Sequence, residues 1–208
     1  MSALPIGVLV SGRGSNLQAI LDAVAGAALP VEVRLVISNR SDAPALGRAA
    51  AVGVPTRVIS HRGFATREAF DAALVAALQE VGVEWVVLAG FMRVLTPTFL
   101  EAFPRRVINI HPALLPSFPG TDAQAQALAY GVKVTGCTVH LVDQGVDTGP
   151  IIAQCAVPVL EEDDEASLAA RILVEEHRLL VETLRDVAAG RVRITPAGAG
   201  QRARVSRV

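Results

Sequence analysis

The stretch "VINIHPALLPSFPG" (107–120) carries two polar residues at the end of an apolar run. Asn109 and His111 are two positions apart on a β-type segment, so their side chains leave the same face. An amide can stabilise an oxyanion, and an imidazole can move a proton or hold positive charge near neutral pH. Pro112, Pro116 and Pro119 fix the backbone that follows, as a preorganised site requires. Further on, "VDQGVDTGP" supplies Asp143 and Asp147 in a glycine-rich loop. Either carboxylate can orient the imidazole, and spacing alone leaves the choice open. A lone histidine at a strand end is more often structural. An amide, an imidazole, a stiffened backbone and an acid in one chain favour chemistry.

A second candidate is "SGRGSN" (11–16), between the first apolar run and the first helical pattern. Gly12 and Gly14 permit a tight turn, and a helix N-terminus offers N–H groups and a positive dipole end to a phosphate. A dinucleotide fingerprint would need a third glycine where Leu17 stands, and an acid near Ser38-Asn39-Arg40. No GKS or GKT follows, so a P-loop is excluded. Ser15 and Asn16 add polar donors, which favours a monophosphate site. Of the other histidines, His61 sits in a loop and His140 within an alternating run, and both are weaker candidates. The four histidines, with Cys137 and Cys155, have no metal-ligand spacing, so no metal is expected. No G-x-S-x-G elbow supports a serine hydrolase.

The elements that must position these residues alternate. Apolar runs at 4–10, 31–38, 55–60, 84–90 and 106–110 read as buried parallel strands, with helical patterns after the first three. Leu17, Ile20, Leu21 and Val24 fall on one helix face, and Ser15 with Gln18 fits a capping box at its start. A turn-rich segment with Pro97 precedes the strand of Asn109. After the proline loop, 122–131 reads as a helix, 132–143 as a half-exposed strand, and 149–159 as its antiparallel partner. A long helix spans about 164–189, with Leu168, Ile172, Leu180 and Leu184 on one row that Glu176 interrupts. The expectation is an α/β, Rossmann-like fold: a mostly parallel open sheet flanked by helices, with an antiparallel C-terminal strand pair. The domain is read as one, 1–190, with halves at about 1–100 and 101–190. The arginine-containing tail, 191–208, is read as a frayed end.

Composition narrows the class. The chain has 208 residues, 51% hydrophobic and 19% charged, enough for a sizeable core. A net charge of −1 argues against nucleic acid as the main partner. Two cysteines make no disulfide framework, so a cytoplasmic setting is expected. No apolar run reaches about 18 residues, and the first residues carry no signal-like pattern, so neither membrane span nor secretion is expected.

The segments "SGRGSNLQAI", "VISNR", "VVLAGFMRVL", "INIHPALLPSFPG" and "VDQGVDTGPII", in this order and spacing, closely resemble the phosphoribosylglycinamide formyltransferase family, within the wider formyltransferase superfamily. The likeness runs from about residue 6 to 190. It implies transfer of a formyl group from 10-formyltetrahydrofolate, as co-substrate, to glycinamide ribonucleotide in purine synthesis. It implies that Asn109 binds the formyl oxygen, that His111 is the acid/base, and that Asp147 rather than Asp143 pairs with it. Gly14, Ser15 and Asn16 match the family's substrate-phosphate loop, and Glu176 its ribose contact. Met92, Arg93, Val94 and Leu95 match a folate-binding stretch, with Arg67, Asn109 and Asp143 also near the folate. One departure is Asp122, where many relatives carry histidine; no ligand role is carried over to it. The expected partners are these small molecules, with no nucleic acid and no membrane, in a monomer or homodimer. Alternatives are a formyltetrahydrofolate hydrolase, expected to bring an N-terminal regulatory domain, and a methionyl-tRNA formyltransferase-like enzyme, expected to bring an RNA-binding extension and a basic surface. A non-catalytic nucleotide-binding module would not require Asn109, His111 and Asp147 together.

Overall fold

The computed structural model describes residues 3–196 and 203–207; Arg202 of the tail lies outside the described residues. Two compact units divide the chain, 1–109 and 110–208. The first holds β1 (Leu4–Val10), α1 (Ser15–Ala25), β2 (Val31–Ser38), α2 (Pro44–Ala51), β3 (Thr56–Val58), a 3₁₀ turn (His61–Gly63), α3 (Arg67–Glu80), β4 (Trp85–Leu88), α4 (Pro97–Ala102) and most of β5 (Val107–His111). Its strands are all parallel, in the order β3-β2-β1-β4-β5. Ile6, Val8, Leu9 and Val10 are fully buried, because helices cover both faces of a parallel strand. The loops after β1, β2 and β4 therefore emerge together at the carboxyl ends of adjacent strands, the edge where open α/β sheets take ligands.

The second unit begins within β5. It holds α5 (Ala123–Tyr130), β6 (Val134–Leu141), β7 (Ile151–Pro158), α6 (Glu165–Ala188), β8 (Val192–Thr195) and β9 (Arg204–Arg207). β6 and β7 are antiparallel. Strands β1 to β7 make a mixed, mostly parallel seven-stranded sheet flanked by helices. α6 opens on a capping box: Ser167 N–H donates to Asp164 Oδ1 at 2.7 Å, and Asp164 N–H to Ser167 Oγ at 3.0 Å. Leu168, Ile172, Leu180 and Leu184 are fully buried on one row of this helix, and Glu176 is buried among them.

Four local readings change. α1 is capped by Gly14 in the left-handed region (φ 74°), not by Ser15. Gln18 instead donates to Asp22 and accepts from Arg48. The Pro97 segment is helix α4, with proline in its first turn, where the missing N–H costs nothing. β6 is not half-exposed: Thr135 to Leu141 are all buried, because α6 packs against the strand and the backbone of 113–115 bonds to it. The tail is not frayed among the described residues. β8 pairs antiparallel with β9, and Asp186 at the end of α6 binds both Arg191 and Arg207.

Candidate active site

β5 ends on the polar pair. Asn109 is its one half-buried residue, and His111 is only 3% exposed. His111 Nδ1 lies 3.3 Å from Asp147 Oδ2, and its Nε2 lies 2.7 Å from the Phe118 carbonyl. Both ring nitrogens thus face oxygen acceptors. The Phe118 carbonyl is presented by a residue in the left-handed region (φ 55°), which a bulky side chain rarely adopts.

Asp147 is the centre of the cluster. It sits in the left-handed region (φ 53°) and accepts the Gly120 N–H at 2.8 Å through Oδ2. Its Oδ1 lies 3.5 Å from His140 Nε2. Burial disfavours the carboxylate, but the His140 contact, the Gly120 amide and the positive field of the two imidazoles outweigh it, holding the Asp147 carboxyl below its ordinary range. Asp143 has a different place. Its Oδ1 accepts Gly145 N–H at 3.1 Å and Thr148 Oγ–H at 2.6 Å, so it shapes the loop that carries Asp147. That loop closes at Gly149, where any Cβ would strike the Leu141 carbonyl.

His140 is the residue that sequence reasoning underrated. It is 2% exposed, and its Nδ1 lies 2.9 Å from the Leu141 carbonyl. One carboxylate therefore serves two buried imidazoles. The available signal was a histidine on the strand leading directly into the Asp143–Asp147 loop. Glu176 is 7% exposed and close enough to the buried Cys137 thiol to help raise it: burial is the larger cause, the Glu176 charge the next, and together they push it to about 12. Asp122 is exposed and caps α5 in the left-handed region (φ 57°) without a side-chain cap bond.

The first unit carries the remaining candidates. Gly14 packs against α2 so closely that a Cβ there would come within 2.5 Å of the Ala45 Cβ. Ser15 and Asn16 form the first turn of α1. Residues 92–96 are pinned at three points. Met92 N–H donates to Ser11 Oγ (2.9 Å), Arg67 donates to the Val94 carbonyl (2.9 Å), and Thr96 N–H donates to buried Asp71 (2.6 Å). Ser11 Oγ in turn donates to Asn39 Oδ1 at 2.7 Å. Met92 and Val94 are exposed, while Leu95 is buried. Arg67 and Arg93 line a cavity of about 160 Å³ with His61, Phe64, Thr66 and Phe70. Burial, then the charges of Arg93 and Arg62, lowers the His61 pKa.

A family model described as formyl transferase matches residues 5–184. The chain belongs to the formyl transferase family. It is 51% identical over 181 residues to a Mycobacterium tuberculosis protein named phosphoribosylglycinamide formyltransferase, covering 87% of this chain and 83% of that one. A crystal structure of glycinamide ribonucleotide transformylase 1 from Symbiobacterium toebii superposes with a TM-score of 0.94 at 51% identity, covering 100% of this chain and 95% of that one. The human trifunctional purine biosynthetic protein adenosine-3 is 44% identical over 193 residues, 93% of this chain. The chain spans only 19% of that protein's length, and 14% of the length of its Drosophila pseudoobscura counterpart. Among the described residues, no group of three or more His, Cys, Asp or Glu is placed to hold a metal ion, and no helix is long and apolar enough to cross a membrane.

Proposed function

We propose that this chain transfers the formyl group of 10-formyltetrahydrofolate to the amine of 5′-phosphoribosylglycinamide, giving the N-formyl ribonucleotide and tetrahydrofolate. The observation that carries the reading is the buried His111–Asp147 contact at the carboxyl end of β5, two residues after Asn109, in a chain of this family. The amine attacks the formyl carbon and makes a tetrahedral oxyanion. Asn109 donates to that oxygen, which typically contributes on the order of 10²–10³ in rate. His111 carries the proton lost by the amine toward the departing folate nitrogen, a contribution of roughly 10²–10⁴. Asp147 holds the ring and balances its charge. The remaining acceleration comes from holding two substrates together, and no covalent enzyme intermediate is needed.

In this reading Gly14, Ser15 and Asn16 receive the ribonucleotide phosphate at the start of α1, and Glu176 binds the ribose hydroxyls. Arg67, the 92–95 stretch, Asn109 and Asp143 take the folate. The three bonds that pin residues 92–96 support a rigid folate-facing backbone. The activity is assigned to the cytoplasm, in a monomer or homodimer, the latter distinguished by light scattering across protein concentration.

The deciding experiment mixes the protein with 10-formyltetrahydrofolate and follows tetrahydrofolate with and without glycinamide ribonucleotide. Release that depends on the ribonucleotide is expected. Release without it would replace transfer by hydrolysis, and no release in either case would refute the proposal.

A further inference from the structure

The prolines of the 112–120 loop limit its backbone, but they do not tether it. Gln126 Nε2 holds its far end, at the Pro119 and Thr121 carbonyls, and its near end is tethered by Thr138, in the middle of β6 and fully buried. Its Oγ donates to the Ala113 carbonyl at 2.6 Å and accepts from Leu115 N–H at 3.0 Å and from Gln154 Nε2 at 3.0 Å. A hydroxyl has one hydrogen and two lone pairs, and all three are used. Gln154 Nε2 also donates to the Leu115 carbonyl at 2.9 Å. Thus Ala113 C=O, Leu115 N–H and Leu115 C=O all find a side-chain partner on β6 or β7. Three residues later the same loop presents Phe118 C=O to His111, and then Gly120 N–H to Asp147.

We propose that Thr138 is a positioning residue for formyl transfer: its hydroxyl anchors the proline loop, and through the Phe118 carbonyl and the Gly120 amide it sets the geometry of the His111–Asp147 pair. The inference rests on the reading that this pair is catalytic. The bonds of Thr138 go to Ala113, Leu115 and Gln154 and not to the pair; it acts through two backbone groups of one loop. Gly120 N–H is one of the contacts that keep Asp147 ionised, and His111 and His140 also face that carboxylate. Loosening the loop removes a contribution that lowers the Asp147 pKa. The acid limb of the rate profile, which belongs to the three-residue cluster as a whole, then moves to higher pH.

The test compares Thr138→Val with Thr138→Ser for kcat, both KM values, the pH dependence of kcat/KM, and melting temperature. Valine keeps the shape and deletes the hydrogen and both acceptor sites. Expected for Thr138→Val is a kcat lower by roughly tenfold, both KM values within about threefold of wild type, and an acid limb displaced upward. Thr138→Ser restores the wild-type kcat and profile. A folded Thr138→Val with wild-type kcat and profile overturns the proposal, as does a serine variant no better than valine. If Thr138→Val does not fold, Gln154→Leu, which deletes the outer two bonds, is expected to shift the same limb in the same direction, and an unmoved limb is refuting. His111→Ala in the same assay separates the two readings. If it retains activity, the catalytic pair itself is wrong. If it is inactive while Thr138→Val is normal, only the anchor fails.

Discussion

Replacing Asp147 by asparagine isolates the charge at the centre of the cluster. Asparagine has the same shape and tolerates the left-handed backbone (φ 53°) that position 147 adopts, so backbone strain does not confound the result. The carboxylate accepts from three directions: Gly120 N–H at 2.8 Å, His111 Nδ1 at 3.3 Å and His140 Nε2 at 3.5 Å. An amide has one acceptor atom, and its NH₂ turns a donor toward a donor. Removing one side of a buried charged contact costs about 3–5 kcal/mol. At 1.36 kcal/mol per decade, a loss of that size in the transition state lowers kcat on the order of 10²- to 10⁴-fold. The assay is tetrahydrofolate release at saturating substrates, with melting temperature followed from acid to neutral pH. Asp147 has a depressed pKa in the folded state, so its stabilising contribution is present above the unfolded carboxylate pKa of about 3.9 and is lost as pH falls through the folded value. The stability gap between wild type and Asp147→Asn is therefore wide at neutral pH and closes in acid. A folded Asp147→Asn within about threefold of wild-type kcat refutes the reasoning. So does Asp143→Asn proving the more damaging change.

Two further expectations use the same assay. His140→Gln lowers kcat by roughly tenfold in the wild-type background and has almost no effect in Asp147→Asn, because the two residues share one contact; additive losses would show that His140 acts elsewhere. Gly14→Ala forces an L-residue into φ 74° and drives a methyl against Ala45, so it costs about 1–2 kcal/mol from backbone strain before the contact is counted. It is expected to raise the ribonucleotide KM several-fold more than the folate KM, and equal changes in both would remove the phosphate role of this loop.

The sheet was legible because parallel strands buried on both faces read as apolar runs: β1 and β4 are apolar throughout, and β2 and β5 are apolar apart from Glu32, Arg34 and Ser38 in one and Asn109 and His111 in the other. The row of α6 was legible for the same kind of reason: its leucines recur at helical spacing, so a buried acid at 176 stands out. Asn109 and His111 were read as a pair because alternate residues of a strand leave one face. The choice between Asp143 and Asp147 was not, since both lie in one short loop. It is decided by which carboxylate the loop's own turn consumes, and Asp143 is bonded to Gly145 and Thr148. His140 was hidden by the alternation of β6, which suggested an exposed face. Only tertiary packing buries that strand from Thr135 to Leu141. The cap of α1 depended on a positive φ at Gly14 that Ser15 could not supply. Arginine, glycine and proline in the tail resemble a loose end in composition, and the pairing of β8 with β9 is a non-local event.

That tail has a fastening. Asp186 holds Arg191 with one oxygen and Arg207 with the other, two residues that bracket the β8–β9 hairpin. Burial opposes the charge of Asp186, but the two guanidinium contacts prevail and lower its pKa. A single carboxylate therefore works as a clasp that closes the hairpin as a loop, and loops opened at their clasp regain the entropy that closure removed. Asp186→Asn is expected to loosen β8 and β9, leaving β9 held by its packing on β7: limited proteolysis near residue 190 would speed up, while the transfer rate stays within about twofold of wild type. Acid would undo the same clasp without a protease, since the carboxylate's contribution fades as pH falls through its folded pKa.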